Sequence, residues 1–140
     1  MKILILLIAL FFGRLYYSEM SDVTVSITGI SNGKGRIYIN LYTSANGFPT
    51  DMSKAVKKIS LTAQKPGLKY VFENLPKGTY AISVMHDENN NGKMDKNFFG
   101  IPIEGYCVSN NAKGFMSAPS FSDARFEVNK DVVQELKLIY

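Results

Sequence analysis

The run Asp87-Glu88-Asn89-Asn90-Asn91-Gly92-Lys93-Met94-Asp95 places oxygen-bearing side chains at loop positions one, three, five and nine, with glycine at six. This is the spacing of a calcium loop, in which alternate residues point inward and the glycine permits a sharp turn. Asp87, Asn89, Asn91 and Asp95 would supply side-chain oxygens, and Lys93 its carbonyl, to a hard cation that accepts irregular oxygen coordination. Two features depart from the full pattern. Position twelve, where a bidentate glutamate is expected, is Phe98, and the preceding residues read as a strand. The missing ligand must come from Glu104, Asp123 or water. Two amides in place of carboxylates, with Lys93 and Lys96 nearby, weaken the site, so a Ca2+ dissociation constant of roughly 0.1 to 1 mM is expected. Asn, Asp and Gly also build turns unaided, so the competing reading is a metal-free loop of Asx turns.

Other residues offer less. His86, beside Asp87, could ligate a metal or act as a base, but a histidine at a strand end more often bonds to the next loop, here by orienting Glu104 or a loop carbonyl. Glu88, Asp95, Glu104 and Asp123 could furnish a glycosidase-like pair, although acids in one loop region are more often ligands or solvated. Ser109, Ser117, Ser120 and Ser122 lack the setting of an activated nucleophile. The only cysteine, Cys107, precludes an internal disulfide and reads as a half-buried small residue. Phe98, Phe99, Tyr106, Phe115 and Phe121 either pack the long loop onto its scaffold or form a sugar- or protein-binding rim. No residue is assigned a catalytic role.

The scaffold must be strands. Val23, Val25 and Ile27 alternate with Thr24, Ser26 and Thr28, and Ile37, Ile39 and Leu41 alternate with Tyr38, Asn40 and Tyr42, which are assigned outward. With Ser31-Asn32-Gly33-Lys34-Gly35 between them, these two segments read as a hairpin. Thr50 or Asp51 can cap a short helical turn. Ile59, Leu61 and Ala63 share a phase, and Tyr70 and Phe72 open another strand. Leu75-Pro76-Lys77-Gly78-Thr79-Tyr80 has the form of a tyrosine corner, in which the ring packs inside and its hydroxyl bonds the turn backbone. Tyr80, Ile82, Val84 and His86 then share one face. Arg125 to Asn129 and Val132 to Tyr140 read as a closing hairpin around Asn129-Lys130-Asp131. The expected fold is all-β: an antiparallel immunoglobulin-like or prealbumin-like sandwich of about seven to eight strands with one long irregular loop region. Val25, Ile39, Tyr80, Ile82, Phe126 and Leu138 should be buried.

At 140 residues the chain holds one domain with a real core. The net charge of +4 includes Lys2 and Arg14. If both leave with a signal peptide that takes no acid along, about +2 remains, too little for nucleic-acid binding by charge alone. Lys2 followed by the apolar run Ile3 to Phe12 suits an export signal and is too short to span a membrane. Residues 1–21 are therefore read as a signal peptide with an unsettled cleavage site, and 22–140 as a single β-sandwich domain. No transmembrane span is expected in the mature chain, which should be exported, either periplasmic or extracellular.

The motif HDENNNGKMDKNFFGIPIEGY, followed by SNN and APSFSDARF, resembles the small secreted bacterial proteins of domain-of-unknown-function family 2141 (DUF2141), from about Val23 to Tyr140. The matched positions are His86, Asp87, Asn89, Asn91, Gly92, Asp95, Gly100, Pro102, Glu104, Gly105, Ser109, Asn110, Pro119, Phe121 and Ala124. Cys107 stands where that family usually has glycine. The resemblance implies an exported β-domain with no established activity. Over the loop alone, the chain also resembles the calcium loops of bacterial adhesin B-type repeats. Three functional readings follow: an exported, non-enzymatic module with a calcium-ordered loop and an envelope glycan or protein partner; an enzyme acting on an envelope glycan or peptide through His86, Glu104 and Asp123; or a purely structural domain with no ligand.

Overall fold

A computed structural model describes residues 18–140. The apolar run and basic residues read as an export signal lie outside this range. Eight strands follow in order: β1 (Met20–Thr28), β2 (Arg36–Tyr42), β3 (Lys57–Thr62), β4 (Gly67–Pro76), β5 (Gly78–Asp87), β6 (Gly105–Val108), β7 (Phe126–Val128) and β8 (Val132–Lys137). A four-residue helix, α1 (Phe121–Ala124), precedes β7. A 3-10 turn at Met52–Lys54 is capped by the Asp51 carboxylate, which accepts from the Ser53 amide at 3.0 Å, and a second lies at Ser109–Asn111.

The strands form two sheets, ordered β4-β1-β8 and β3-β2-β5-β6, with β7 beside the start of β5. Their facing sides bury one core, including Val23, Val25, Ile27, Ile37, Ile39, Leu41, Ile82, Val84, Leu136 and Leu138. The described residues thus form a β-sandwich of eight strands, as expected. Of the six named core residues, Val25, Ile39, Tyr80, Ile82 and Leu138 are buried, whereas Phe126 sits half-buried at the rim. The tyrosine corner is present: the Tyr80 hydroxyl donates to the Pro76 carbonyl at 2.8 Å.

Strand partners differ from expectation in two places. β1 and β2 do not pair; β1 lies between β4 and β8, while β2 lies between β3 and β5 in the opposite sheet. Likewise β7 pairs with β5 and β8 with β1, so the segment around Asn129 to Asp131 crosses between sheets and closes no hairpin. The β1–β8 pair is parallel, and every other pair of strands is antiparallel. Two turns rich in Gly, Asn and Asp therefore serve as arches between sheets. Such residues reverse a chain equally well in either role.

The assignment of Asn40 and Tyr42 to the outside is also corrected, since both are buried. A second apolar cluster of Ala81, Val108 and Ala124, flanked by Phe48, Ala112 and Phe121, covers the far face of β5. Tyr42 meets Phe48 edge-on at 5.3 Å, and Phe48 meets Phe121 at 5.8 Å. Asn40 donates to the Ser83 hydroxyl at 3.4 Å, and its Oδ1 has no partner among the described residues. Covered on both faces, β5 is buried continuously from Tyr80 to Asp87 and delivers His86 and Asp87 to the edge of the long loop. Among the described residues no helix is long and apolar enough to cross a membrane.

Candidate metal centre

Asp87 ends β5 fully buried, and the loop wraps around its carboxylate. Oδ1 accepts from the Asn91 amide at 3.1 Å and Oδ2 from the Gly92 amide at 2.8 Å. Such charge-assisted bonds to backbone N–H are among the stronger ones a loop can make. The Asn89 Oδ1 accepts from Asn91 N, and the Asn91 Oδ1 from Lys93 N, two successive Asx turns. Gly92 adopts φ +76°, the left-handed conformation that costs glycine least. The Asn89 and Asn91 side-chain NH2 groups then donate to the two oxygens of Asp95, at 2.6 and 2.8 Å.

The structure thus brings Asp87, Asn89, Asn91 and Asp95 together around one turn. Glu104, nominated as the missing ligand, lies beneath it, 5 % exposed. Its Oε1 accepts from Glu88 N and its Oε2 from Asp95 N, both at 3.0 Å. The carboxylate therefore clamps the two ends of the loop together. Asp123 is elsewhere: it follows Ser120, whose side chain caps α1, and the two side chains bond at 2.7 Å. Glu88 points away from the turn, to the Asn32 amide at 3.0 Å. Among the described residues no group of three His, Cys, Asp or Glu side chains is placed to hold a metal. Any cation here relies on the two Asn oxygens and the Lys93 carbonyl as well as carboxylates, a hard all-oxygen set that suits calcium.

His86 is fully buried, and both ring nitrogens are engaged: Nε2 with the Lys34 carbonyl and Nδ1 with the Tyr140 hydroxyl, each at 2.7 Å. A carbonyl only accepts, so Nε2 carries a hydrogen, and in the neutral ring Nδ1 accepts from Tyr140. The same hydroxyl accepts from Ser31 N at 3.0 Å. His86 does bond a loop carbonyl, but in the arch that joins β1 to β2 and not in the loop that follows it, and the Glu104 carboxylate is held by Glu88 N and Asp95 N instead. The polar centre of His86, Glu104 and Asp123 is not assembled, because each side chain is engaged at a separate place.

The model of a family described as "Uncharacterized protein conserved in bacteria (DUF2141)" matches residues 25–135. The chain belongs to this family. No curated protein and no solved structure matches it.

Several positions of this DUF2141 domain hold the loop in place without belonging to it. Gly35, at φ +68°, brings its backbone so close to Asp87 that a Cβ there would lie 1.9 Å from the Asp87 carbonyl oxygen. Tyr140 reaches His86 from the far end of the chain. Neither carries a local signal, because their partners are distant in sequence. The Ser109-Asn110-Asn111 segment of the DUF2141 chain is also explained. Ser109 accepts from Ile82 N and donates to the Ala124 carbonyl. Asn110 bonds Gln134, Asp123 and Arg125, and Asn111 bonds the backbone of Glu135 and Lys137. Cys107 faces the core of β6, more deeply buried than expected, and burial pushes its thiol up to about 12.

Proposed function

We propose that this chain is an exported, non-enzymatic β-sandwich module, periplasmic or extracellular, whose loop from Asp87 to Asp95 binds calcium weakly. One observation carries the reading: Asp87, Asn89, Asn91 and Asp95 converge on a turn through Gly92, with Glu104 clamping its ends. Asp87, Asn89, Asn91 and Asp95 would hold the ion with side-chain oxygens and Lys93 with its carbonyl. Calcium would contribute charge neutralisation and order, so the module presents its long loop in one conformation. Export is supported by Lys2 and the Ile3 to Phe12 run.

A thermal melt tests the proposal. At a dissociation constant of roughly 0.1 to 1 mM, about 10 mM calcium stabilises the fold by roughly 1.4 to 2.7 kcal/mol. For a domain of this size that raises Tm by several degrees. Magnesium should do less, since it demands near-octahedral geometry and dehydrates reluctantly. An identical Tm in chelator and in calcium would defeat the reading and leave a loop of plain Asx turns.

A further inference from the structure

Beyond the calcium turn, residues 96–103 form a small hairpin that projects from the domain. The Asn97 and Ile101 backbones bond at 2.9 Å, Gly100 N reaches the Asn97 carbonyl at 2.9 Å, and Ile103 N reaches Asp95 O at 3.0 Å. The Asn97 side-chain oxygen accepts from Phe99 N and Ile101 N. At the tip Phe98 is 96 % and Phe99 82 % exposed, their rings in edge contact at 5.5 Å. Ile101 and Ile103 are each more than half exposed. A Cβ on Gly100 would meet nothing within 4 Å, so the tip stands in open space.

We infer that this hairpin is a membrane-docking finger that seats Phe98 and Phe99 in the interface of an anionic lipid surface. Three observations favour lipid as the occupant. The amides of Asn97, Phe99, Gly100, Ile101 and Ile103 have partners within the hairpin and its base, and residue 102 is proline, so at the tip only the Phe98 amide would enter an apolar layer unpaired. The charge is complementary: the only charged residue from 96 to 103 is Lys96, and exposed Lys93 lies at the base. Asp87 and Glu104 are buried and Glu88 and Asp95 only part-exposed, so Lys93 and Lys96 are the exposed charged residues between 86 and 105. Finally, two rings over a lysine collar match the two signals, apolar insertion and attraction to anionic headgroups, that together give surface binding.

The chain contains no tryptophan, so Phe99→Trp introduces a single reporter at the tip. With equimolar phosphatidylglycerol–phosphatidylcholine vesicles, its emission should shift to shorter wavelength and be quenched by brominated acyl chains. Phosphatidylcholine alone should do much less, and raised salt should reverse the shift. Phe98→Ser with Phe99→Ser should weaken cosedimentation at least about ten-fold at unchanged Tm, since removing two inserted rings forfeits their transfer from water. Lys93→Gln with Lys96→Gln should remove the preference for anionic vesicles. Unchanged emission at saturating vesicles would overturn the proposal. So would an equal response to both lipids, or a shift that follows protein concentration without lipid and so marks self-association.

Discussion

The two acids at the turn illustrate how similar side chains take different work. Asp95 is partly exposed and accepts from two side-chain amides, while Glu104 is buried and holds two backbone N–H groups. Asp95→Ala should therefore cost little in chelator yet abolish the calcium-dependent rise in Tm. Glu104→Ala should lower stability by about 1 to 3 kcal/mol with or without calcium, the cost of leaving buried donors unpaired. Asp87→Ala should do both, and Glu88→Ala, directed at Asn32, should keep the calcium response. Chemical denaturation in chelator and in calcium separates the four. His86 invites a parallel measurement. Tyr140→Phe removes the hydroxyl that serves both His86 Nδ1 and Ser31 N, and should cost about 1 to 2 kcal/mol.

At the level of elements, alternation in β1, β2 and β5 identified the core-facing residues because one face of each strand must be apolar. It could not identify partners, since period two reports a face and never a neighbour. Hence Ser31 to Gly35 has the sequence of a hairpin turn and the role of an arch. Asn40 and Tyr42 escape the alternation for a related reason: Asn40 meets Ser83, 43 residues on, and the Phe48 ring that covers Tyr42 is itself backed by distant Phe121. The turn at Asp87 to Asp95 was legible because its bonds are local, whereas the clamp by Glu104 and the seclusion of Asp123 depend on tertiary packing. The tyrosine corner was legible as well, and Tyr80→Phe should cost about 1 kcal/mol in an equilibrium melt by losing the bond to Pro76. Asn111 bonds the Glu135 carbonyl and Lys137 amide of β8 much as another strand would, which occupies part of an otherwise open edge.

For the molecule as a whole, burial raises Cys107 from 9.0 to about 12 and raises Tyr42 and Tyr80 above 10.0. The folded state therefore keeps protons that the unfolded chain releases. For Cys107 that stability is fully present below about pH 9 and is lost as pH rises toward 12, by at most about 1.4 kcal/mol per unit, and the tyrosines add in the same direction at higher pH. Urea midpoints should decline first through Cys107, and Cys107→Ala should postpone the decline until the tyrosines titrate. The parallel pair of β1 and β8 has a further consequence, for the order of events during synthesis. Asp22 and Asp131 are bonded across 109 positions, and β1 pairs with β8 from Val23 to Thr28. β1 thus waits for β8, and Tyr140 must follow before the His86 Nδ1 finds its partner. Contacts of such sequence separation form late because the loop must close first. A nascent chain lacking residues 132–140 has a three-stranded sheet reduced to two strands, and it should show no cooperative melt. Arrival of β8 thus gates closure of the β4-β1-β8 sheet, and a chain held short of it stays pliable.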